Sequence, residues 1–123
     1  MDKKPAIGSV VWRDLTVDNA DELKDFYSKV VGWNVIPHSM GDYNDYNISD
    51  KDGNVIAGIC NKRGTNSNVP SQWLVYIQVE NVEQSAKDCL ELGGKILDGP
   101  RKMGKSDFCV IEDPTGAVLG LIN

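Results

Sequence analysis

The pattern of apolar and polar positions changes its period along the first part of the chain. Residues 7–17 alternate as a half-buried β-strand does, which places Trp12 and Asp14 on the same face. Residues 19–31 follow a helical period instead, and the apolar stripe predicted to pack on the sheet is formed by Leu23, Phe26, Tyr27 and Val30. This part of the chain therefore predicts a strand followed by a helix.

Three further strands are predicted before the middle of the chain. Residues 33–36 form a short strand that Pro37 is expected to stop. Residues 43–49 and 55–60 are predicted as a hairpin, because an Asp-Gly pair lies between them. Residues 61–72 are rich in Asn, Ser, Gly and Thr and lack any periodicity, which predicts a linker.

The second part of the chain shows the same order of patterns. A strand is predicted over residues 73–79 and a helix over residues 82–92. Three strands follow, at residues 95–97, 107–111 and 117–122, with a loop predicted over residues 98–105. Each half is therefore predicted to have the order βαβββ.

A constant offset of 62 positions relates the two halves. It separates Gly58 from Gly120, each a glycine inside a predicted strand. It also relates longer stretches: Leu15-Thr16-Val17-Asp18-Asn19 returns as Ile77-Gln78-Val79-Glu80-Asn81, and Asp45-Tyr46-Asn47-Ile48 returns as Asp107-Phe108-Cys109-Val110. The turn glycines Gly53 and Gly116 differ by 63, so one hairpin has gained or lost a residue.

These matches predict a tandem duplication within one domain. The domain spans residues 1–123, with one module at about 7–60, a linker at about 61–72 and a second module at about 73–123. The predicted fold class is α+β, in which two βαβββ modules form one sheet whose face away from the helices needs either cover or a ligand.

Composition narrows the function classes. The chain has 41% hydrophobic and 25% charged residues, which is ordinary for a globular protein. Its net charge of −5 argues against a nucleic-acid partner. No apolar run approaches the ~20 residues of a membrane span, and residues 1–5 do not resemble a signal peptide. The three cysteines lack CxxC spacing, which favours a reduced, cytoplasmic protein.

The repeated unit resembles the vicinal oxygen chelate superfamily, which includes glyoxalase I, extradiol dioxygenases and bleomycin-resistance proteins. The likeness covers about residues 7–122 and is carried by the Leu-x-Val-x-Asn stretch entering the first helix, the Phe26-Tyr27 and Gly32-Trp33 pairs, and Asp113-Pro114-x-Gly116 before the last strand. It implies that the two modules curl into a cup. It also implies a homodimer, because relatives often pair their modules within or across chains.

The resemblance further implies where metal ligands stand in the enzymatic members: a His three residues before the Leu of the Leu-x-Val pattern, and a Glu in the closing strand of a module. Here Trp12 and Leu74 occupy the first kind of position, and Gly58 and Gly120 the second. The chain has a single His, His38, expected in a solvent-facing loop. We therefore expect no metal ligands and no cofactor.

The predicted cup face is apolar with a few polar groups, which is typical of small-molecule pockets. Gly58 and Gly120 are expected to leave room in the cup, and Cys60 to line it without acting as a nucleophile. Trp73 is expected to add an aromatic wall, in the cup or at a dimer groove. The candidate ligand-binding residues are Trp12, Asp14, Gly58, Cys60, Trp73, Tyr76 and Gly120.

Several functions are compatible with this cup. The first is binding of a small molecule, cationic or aromatic in character, without a metal. The second is a metal-independent isomerase- or lyase-type enzyme that uses Asp14 or Tyr76 as acid or base. The third is a glyoxalase-type metalloenzyme, against which the small number of possible metal ligands argues. The remaining alternative is that Trp12, Leu74 and Tyr76 fill the cup as core side chains and that no ligand binds there. No catalytic residue is assigned from the sequence.

Overall fold

Among residues 4–123, eight strands and two helices follow one another in two equal series. A computed structural model describes residues 4–123. The first series is β1 (Val10–Val17), α1 (Ala20–Val31), β2 (Asn34–Ser39), β3 (Asn44–Ser49) and β4 (Val55–Asn61). The second is β5 (Trp73–Gln78), α2 (Val82–Glu91), β6 (Lys95–Met103), β7 (Ser106–Glu112) and β8 (Val118–Ile122). A single 3-10 turn, Gly64–Asn66, and the buried Val69 lie in the predicted linker.

All eight strands form one mixed sheet in the order β2-β3-β4-β1-β5-β8-β7-β6. Within each module the first and last strands are parallel, and β1 and β5 join the modules in antiparallel fashion. Asp14 pairs with Gly58 on β4, and Tyr76 pairs with Gly120 on β8, so the pairs match at the offset of 62. The predicted α+β fold with two βαβββ modules is confirmed.

The one-residue difference between the two hairpins is a β-bulge. Ile48 pairs with Ala57, but the next residue of β3 pairs with Val55, so Ile56 has no partner of its own. The corresponding hairpin of β7 and β8 pairs without interruption. An extra residue in one strand of an antiparallel pair is the defining feature of a bulge.

The observed strand pairing shows that equivalent residues of β3 and β7 lie 63 positions apart, not 62. Tyr46 pairs with Ile59 in the first module, whereas Cys109 pairs with Leu121 in the second. The predicted match of Tyr46 with Phe108 is therefore wrong by one residue. Because successive side chains of a strand point to opposite faces, Tyr46 faces the helix side and Phe108 the cup side.

The two outermost strands are longer than the sequence predicted. β2 continues through Pro37 to Ser39, and β6 continues to Met103, through most of the loop expected over residues 98–105. Both strands lie at a sheet edge, where a proline without an N–H loses no ladder hydrogen bond on its open side. β6 also accommodates Pro100, in a cis peptide bond after Gly99, by two shifts of its register against β7.

Both helices cover the same face of the sheet. Cys109 and Leu121 of the sheet pack against Val82 and Ala86 of α2. Leu15, Ile48 and Ile59 form the centre of the core beneath α1. Leu23 and Tyr27 pack on this core, but Phe26 is 53% and Val30 66% exposed, which corrects the predicted four-residue stripe. Helix α1 meets the sheet along one edge of that stripe only. No helix within residues 4–123 has the length and apolar character needed to cross a bilayer.

Candidate functional site

The sheet face opposite the helices encloses a hollow with two lobes. The larger lobe has a volume of about 460 Å³ and the smaller one about 280 Å³. Five residues line both lobes and so define a neck between them: Asp14, Met40, Asp45, Cys60 and Met103. The alternation along β1 directs Asp14 to this face, because Leu15 and Val17 are committed to the core on the other.

The two lobes differ in chemistry. Beyond the neck, the larger lobe is walled mainly by Val11, Trp12, Gly58 and Ile122, and we call it the apolar lobe. The smaller one carries hydroxyl, amide and charged groups and is called the polar lobe; its walls include Thr16, Tyr43, Arg63, Tyr76, Asp98, Arg101 and Phe108. A ligand that spans the neck would therefore contact one apolar and one polar surface.

Asp14 is a partly buried carboxyl at the centre of the neck. The indole Nε1 of Trp12 donates a hydrogen bond of 2.9 Å to its Oδ1. Burial raises the pKa of Asp14 from 3.8 to about 6; the bond from Trp12 opposes that rise, and the nearby charge of Asp45 adds to it. Near neutral pH, Asp14 is therefore able both to accept hydrogen bonds as a carboxylate and to exchange a proton.

The glycines of the two parallel pairs make room for protein side chains, not for a ligand. A Cβ built on Gly58 would lie 2.5 Å from Oδ1 of Asp14, and one on Gly120 would overlap the ring of Tyr76. The expectation that Gly58 and Gly120 leave open space in the cup is thus corrected. Their lack of a side chain allows Asp14 and Tyr76 to lie flat against the neighbouring strand.

Two buried hydroxyl groups of the polar lobe have no protein partner. Tyr76 is 5% and Thr16 6% exposed, and neither side-chain oxygen forms a hydrogen bond within residues 4–123. No fully buried side-chain nitrogen or oxygen of that part of the chain lacks a partner, so these two hydroxyls open into the cavity. Burial raises the pKa of Tyr76, and the charge of Asp14 raises it further, so Tyr76 remains a hydrogen-bond donor.

An ion pair forms the far wall of the polar lobe. Asp98 is buried and accepts two hydrogen bonds of 2.9 Å from Arg101, whose guanidinium lies 4.5 Å from the ring centroid of Phe108. The side-chain hydrogen bond from Arg101 to Asp98 raises the pKa of Arg101. Sequence reasoning missed this wall, because it placed residues 98–105 in a loop instead of in β6.

We expect Asp98→Asn to lower the free energy of unfolding by about 1–3 kcal/mol. The substitution removes the buried carboxylate that accepts two hydrogen bonds from Arg101, and the half-exposed guanidinium of Arg101 limits the loss. Asp107→Asn is the matched control, since it breaks the more exposed pair of Lys102 with Asp107 and should cost less than about 1 kcal/mol. Urea denaturation of both variants measures the difference. Equal losses would contradict this assignment.

The remaining predicted site residues divide between the two faces. Cys60 lines the neck as expected; burial raises the pKa of its thiol, so it stays protonated. Trp73 lies on the helix side, where its Nε1 donates a 3.0 Å hydrogen bond to the hydroxyl of Tyr27, and it packs on Trp33. The expectation that Trp73 lines the cup is corrected: its backbone partner is Leu15, which faces the core. His38 lies in β2, not in a loop as predicted, and it lines the apolar lobe.

The donors in the hollow do not fit a chelated metal ion. The four positions at which the family resemblance implies metal ligands hold Trp12, Gly58, Leu74 and Gly120. Among residues 4–123, no group of three or more His, Cys, Asp or Glu side chains is arranged to hold a metal. No chemistry is therefore assigned to a metal at this site.

The neck contains three residues that sequence reasoning did not identify. Met40 and Asp45 come from the β2–β3 hairpin, and Met103 ends β6. The prediction placed the end of β2 at residue 36 and no strand at Met103, so it gave no sign that these side chains meet. One signal in the sequence was not used: Met40 and Met103 lie 63 positions apart and so occupy equivalent positions in the two modules.

A glyoxalase-like domain family model matches residues 11–122 of the chain. Similar solved structures cover nearly the whole chain. A variant of methylmalonyl-CoA epimerase from Streptomyces coelicolor in complex with 2-nitronate-propionyl-CoA is 15% identical, with a TM-score of 0.59, and covers 95% of this chain and 94% of its own. Methylmalonyl-CoA epimerase from Mycobacterium tuberculosis is 12% identical, with a TM-score of 0.58 and coverages of 99% and 91%.

A glyoxalase/bleomycin resistance protein/dioxygenase superfamily member from Vibrio splendidus 12B01 is 11% identical, with a TM-score of 0.59, and covers 90% of this chain and 95% of its own. No curated protein matches the chain at a significant level. Identities this low show a shared fold and leave the activity open, because one fold supports many functions.

Proposed function

The chain belongs to the glyoxalase-like domain family, and on that premise we propose that it binds a small organic molecule in the cup, without a metal ion, with Asp14 as the central polar contact. The proposal follows from the site, since the fold alone does not specify a function. The two lobes have the volume and the mixture of apolar wall and few polar groups that such ligands require.

The observation that carries the proposal is the pair of unpartnered hydroxyls in the polar lobe. Within residues 4–123 neither hydroxyl has a protein partner, and both open into the cavity, so both are free to form hydrogen bonds with a ligand. Thr16 and Tyr76 both lie beside Asp14 on the cup face and open into the same cavity. A ligand that hydrogen-bonds to them would recover interactions that the protein itself does not supply. A cup filled only by core side chains would have no use for them.

The proposal is tested by removing the hydroxyl group from each of two buried tyrosines, Tyr76 on the cup side and Tyr46 on the helix side. Tyr76→Phe removes a hydroxyl without a protein partner, so the free energy of unfolding should change by less than about 0.5 kcal/mol, while ligand affinity falls about three- to tenfold. Tyr46→Phe removes the hydroxyl that donates to Asp21 at 2.5 Å on the helix side. It should cost about 1.5–3 kcal/mol of stability and leave affinity unchanged.

The measurement is isothermal titration calorimetry against a panel of small aromatic and aliphatic molecules with cationic, neutral and anionic groups, combined with urea denaturation. Loss of stability in Tyr76→Phe, or no binding by any member of the panel to the wild-type protein, would contradict the proposal. Equal affinity of Tyr76→Phe and wild type for every bound molecule would also contradict it.

A second candidate function is a metal-independent proton-transfer enzyme of the isomerase or lyase type. The observation that favours it is the pKa of Asp14, which at about 6 is suited to a general base at neutral pH. The hydroxyl of Tyr76 would act as the donor. Two of the similar structures are epimerases, which supports such a step by analogy only.

Deuterium exchange distinguishes this candidate from simple binding. Molecules that bind are incubated with the protein in D2O, and NMR follows the loss of their acidic C–H signals. Exchange that disappears in Asp14→Asn, while Tyr46→Phe retains it, would establish proton abstraction by Asp14. No exchange for any molecule that binds would leave binding as the function.

A further inference from the structure

The neck brings together two carboxyls and two thioethers from different elements. Asp14 comes from β1 and Asp45 from β3, while Met40 and Met103 occupy related positions at the ends of the two hairpins. Each methionine is 45% exposed, although both line both lobes. The neck therefore has an acidic floor and a polarizable, apolar rim.

We propose that the neck binds the protonated amine of a molecule whose apolar, preferably aromatic, substituent enters the apolar lobe beneath Met40 and Met103. This inference rests on the proposed binding function and specifies its ligand class. It assigns the two methionines as specificity-determining residues.

The balance of charge at the neck favours a cation. Asp98 is neutralised by Arg101, but within residues 4–123 neither Asp14 nor Asp45 takes part in an ion pair. Asp45 instead accepts hydrogen bonds from the backbone and side-chain amides of Asn61. Arg63, the other cation of the polar lobe, is exposed and stacks on the ring of Tyr43 at 3.9 Å. An ammonium group at the neck would offset the two uncompensated carboxyls.

The unpartnered hydroxyls provide a second, independent indication of a polar ligand. An ammonium group has three donors, of which carboxylates take one or two. The side chains of Thr16 and Tyr76 are more than nine-tenths buried beside the neck, and both hydroxyl oxygens can accept. They are available for the remaining N–H groups, so the site can satisfy all the donors of a primary amine.

The rim accounts for the apolar part of the ligand. Methionine is flexible and polarizable and makes favourable contacts between sulfur and aromatic rings. Trp12 provides an aromatic wall on the other side of the apolar lobe. An arylalkyl group in this lobe would lie between the indole and the two thioethers.

Three probes with the same aromatic body separate the contributions: 4-phenylbutylamine, 4-phenyl-1-butanol and 4-phenylbutyrate. At pH 7.5 the amine should bind about tenfold more tightly than the alcohol, with the carboxylate weakest, since charge-assisted hydrogen bonds exceed neutral ones by about 1–2 kcal/mol. Met40→Gln and Met103→Gln should each weaken binding of the amine about three- to tenfold. Met40→Leu and Met103→Leu should stay within about twofold.

Leu92→Gln is the control for an apolar-to-Gln change, because Leu92 is 77% exposed and distant in the fold from the neck. It should leave affinity for the amine unchanged, and circular dichroism checks the fold of every variant. Equal affinity for amine and alcohol, or tighter binding of the carboxylate, would overturn the amine assignment. Unchanged amine affinity in both Gln variants would overturn the role of the methionines.

The failure of this inference is distinguishable from that of the proposed function. If the alcohol binds as well as the amine and Tyr76→Phe still weakens it, the cup binds organic molecules but not through an amine. If none of the three probes binds to the wild-type protein, both this inference and its premise are wrong for arylalkyl ligands.

Discussion

Asp14→Asn is expected to make the protein more stable at pH 7 and to lower its affinity for a cationic ligand at least tenfold. The pKa of Asp14 is raised from 3.8 to about 6, chiefly by burial, so its charged form is disfavoured in the folded state. A shift of about two pH units corresponds to about 3 kcal/mol, and partial exposure reduces the expected gain to about 1–2 kcal/mol. Asn keeps an acceptor for the indole of Trp12.

The gain in stability expected from Asp14→Asn depends on pH, and this dependence identifies the carboxyl group as its cause. Because the folded-state pKa is raised, the contribution of Asp14 to stability is fully present below pH 3.8 and is lost as pH rises through about 6. The free energy of unfolding of Asp14→Asn relative to wild type should therefore grow between pH 4 and pH 6 and then level off. The titratable groups that face Asp14 are Asp45, Cys60, Tyr76 and His38, and all of them remain in the variant.

Urea denaturation at pH 4, 5, 6, 7 and 8 measures this difference. Asp52→Asn is the matched control, since it removes an exposed carboxyl in the β3–β4 turn and should show a small change without a step near pH 6. A variant Asp14→Asn that is less stable than wild type at pH 7 would contradict the assigned environment of this carboxyl. Affinity for 4-phenylbutylamine should fall below pH 6 in wild type, in parallel with protonation of Asp14.

Gly120→Ala is expected to lower the free energy of unfolding by about 3 kcal/mol. The added Cβ would overlap three atoms of the Tyr76 ring, which is itself buried and packs on Phe108, so the ring or the backbone would have to shift. Overpacking of this kind costs about 1–3 kcal/mol, with larger values where backbone must shift. Thermal and urea denaturation measure the loss directly.

Gly58→Ala is the related change 62 positions earlier and should be milder, about 1 kcal/mol. Its added methyl meets the end of the Asp14 side chain, which can rotate away. It should therefore cost more in affinity than in stability, because it displaces the central carboxyl of the neck. Equal destabilisation by the two substitutions would contradict the different roles assigned to the two glycines.

Much of the fold was predictable because each module is locally consistent. The alternation along β1, the helical stripe of α1 and the Asp-Gly turn each specify an element, and the offset of 62 carries them to the second module. The position of Asp14 on the cup face followed from alternation alone. The repeat matched Gly58 with Gly120, but the pairing of Gly58 with Asp14 was not predicted.

The errors came from features that depend on neighbours in space. Pro37 was taken as the end of a strand and Pro100 as part of a loop, but edge strands tolerate proline, and no local signal tells an edge from a centre. The bulge at Ile56 changed the relation between β3 and β7, so Tyr46 was matched with Phe108 instead of with Cys109. Trp73 was expected in the cup or at a dimer groove, although the alternation along β5 places it on the face opposite to Leu74 and Tyr76, where it packs on the core beneath α1.

The most direct test of ligand binding at the neck follows the three tryptophan indole N–H signals by NMR during titration with 4-phenylbutylamine. Trp12 lies in the cup with its Nε1 on Asp14, whereas Trp33 and Trp73 pack together on the helix side of the sheet. The Trp12 indole signal should shift in a saturable manner while the other two stay fixed. Shifts confined to Trp33 and Trp73 would place the ligand on the wrong face of the sheet and contradict the account.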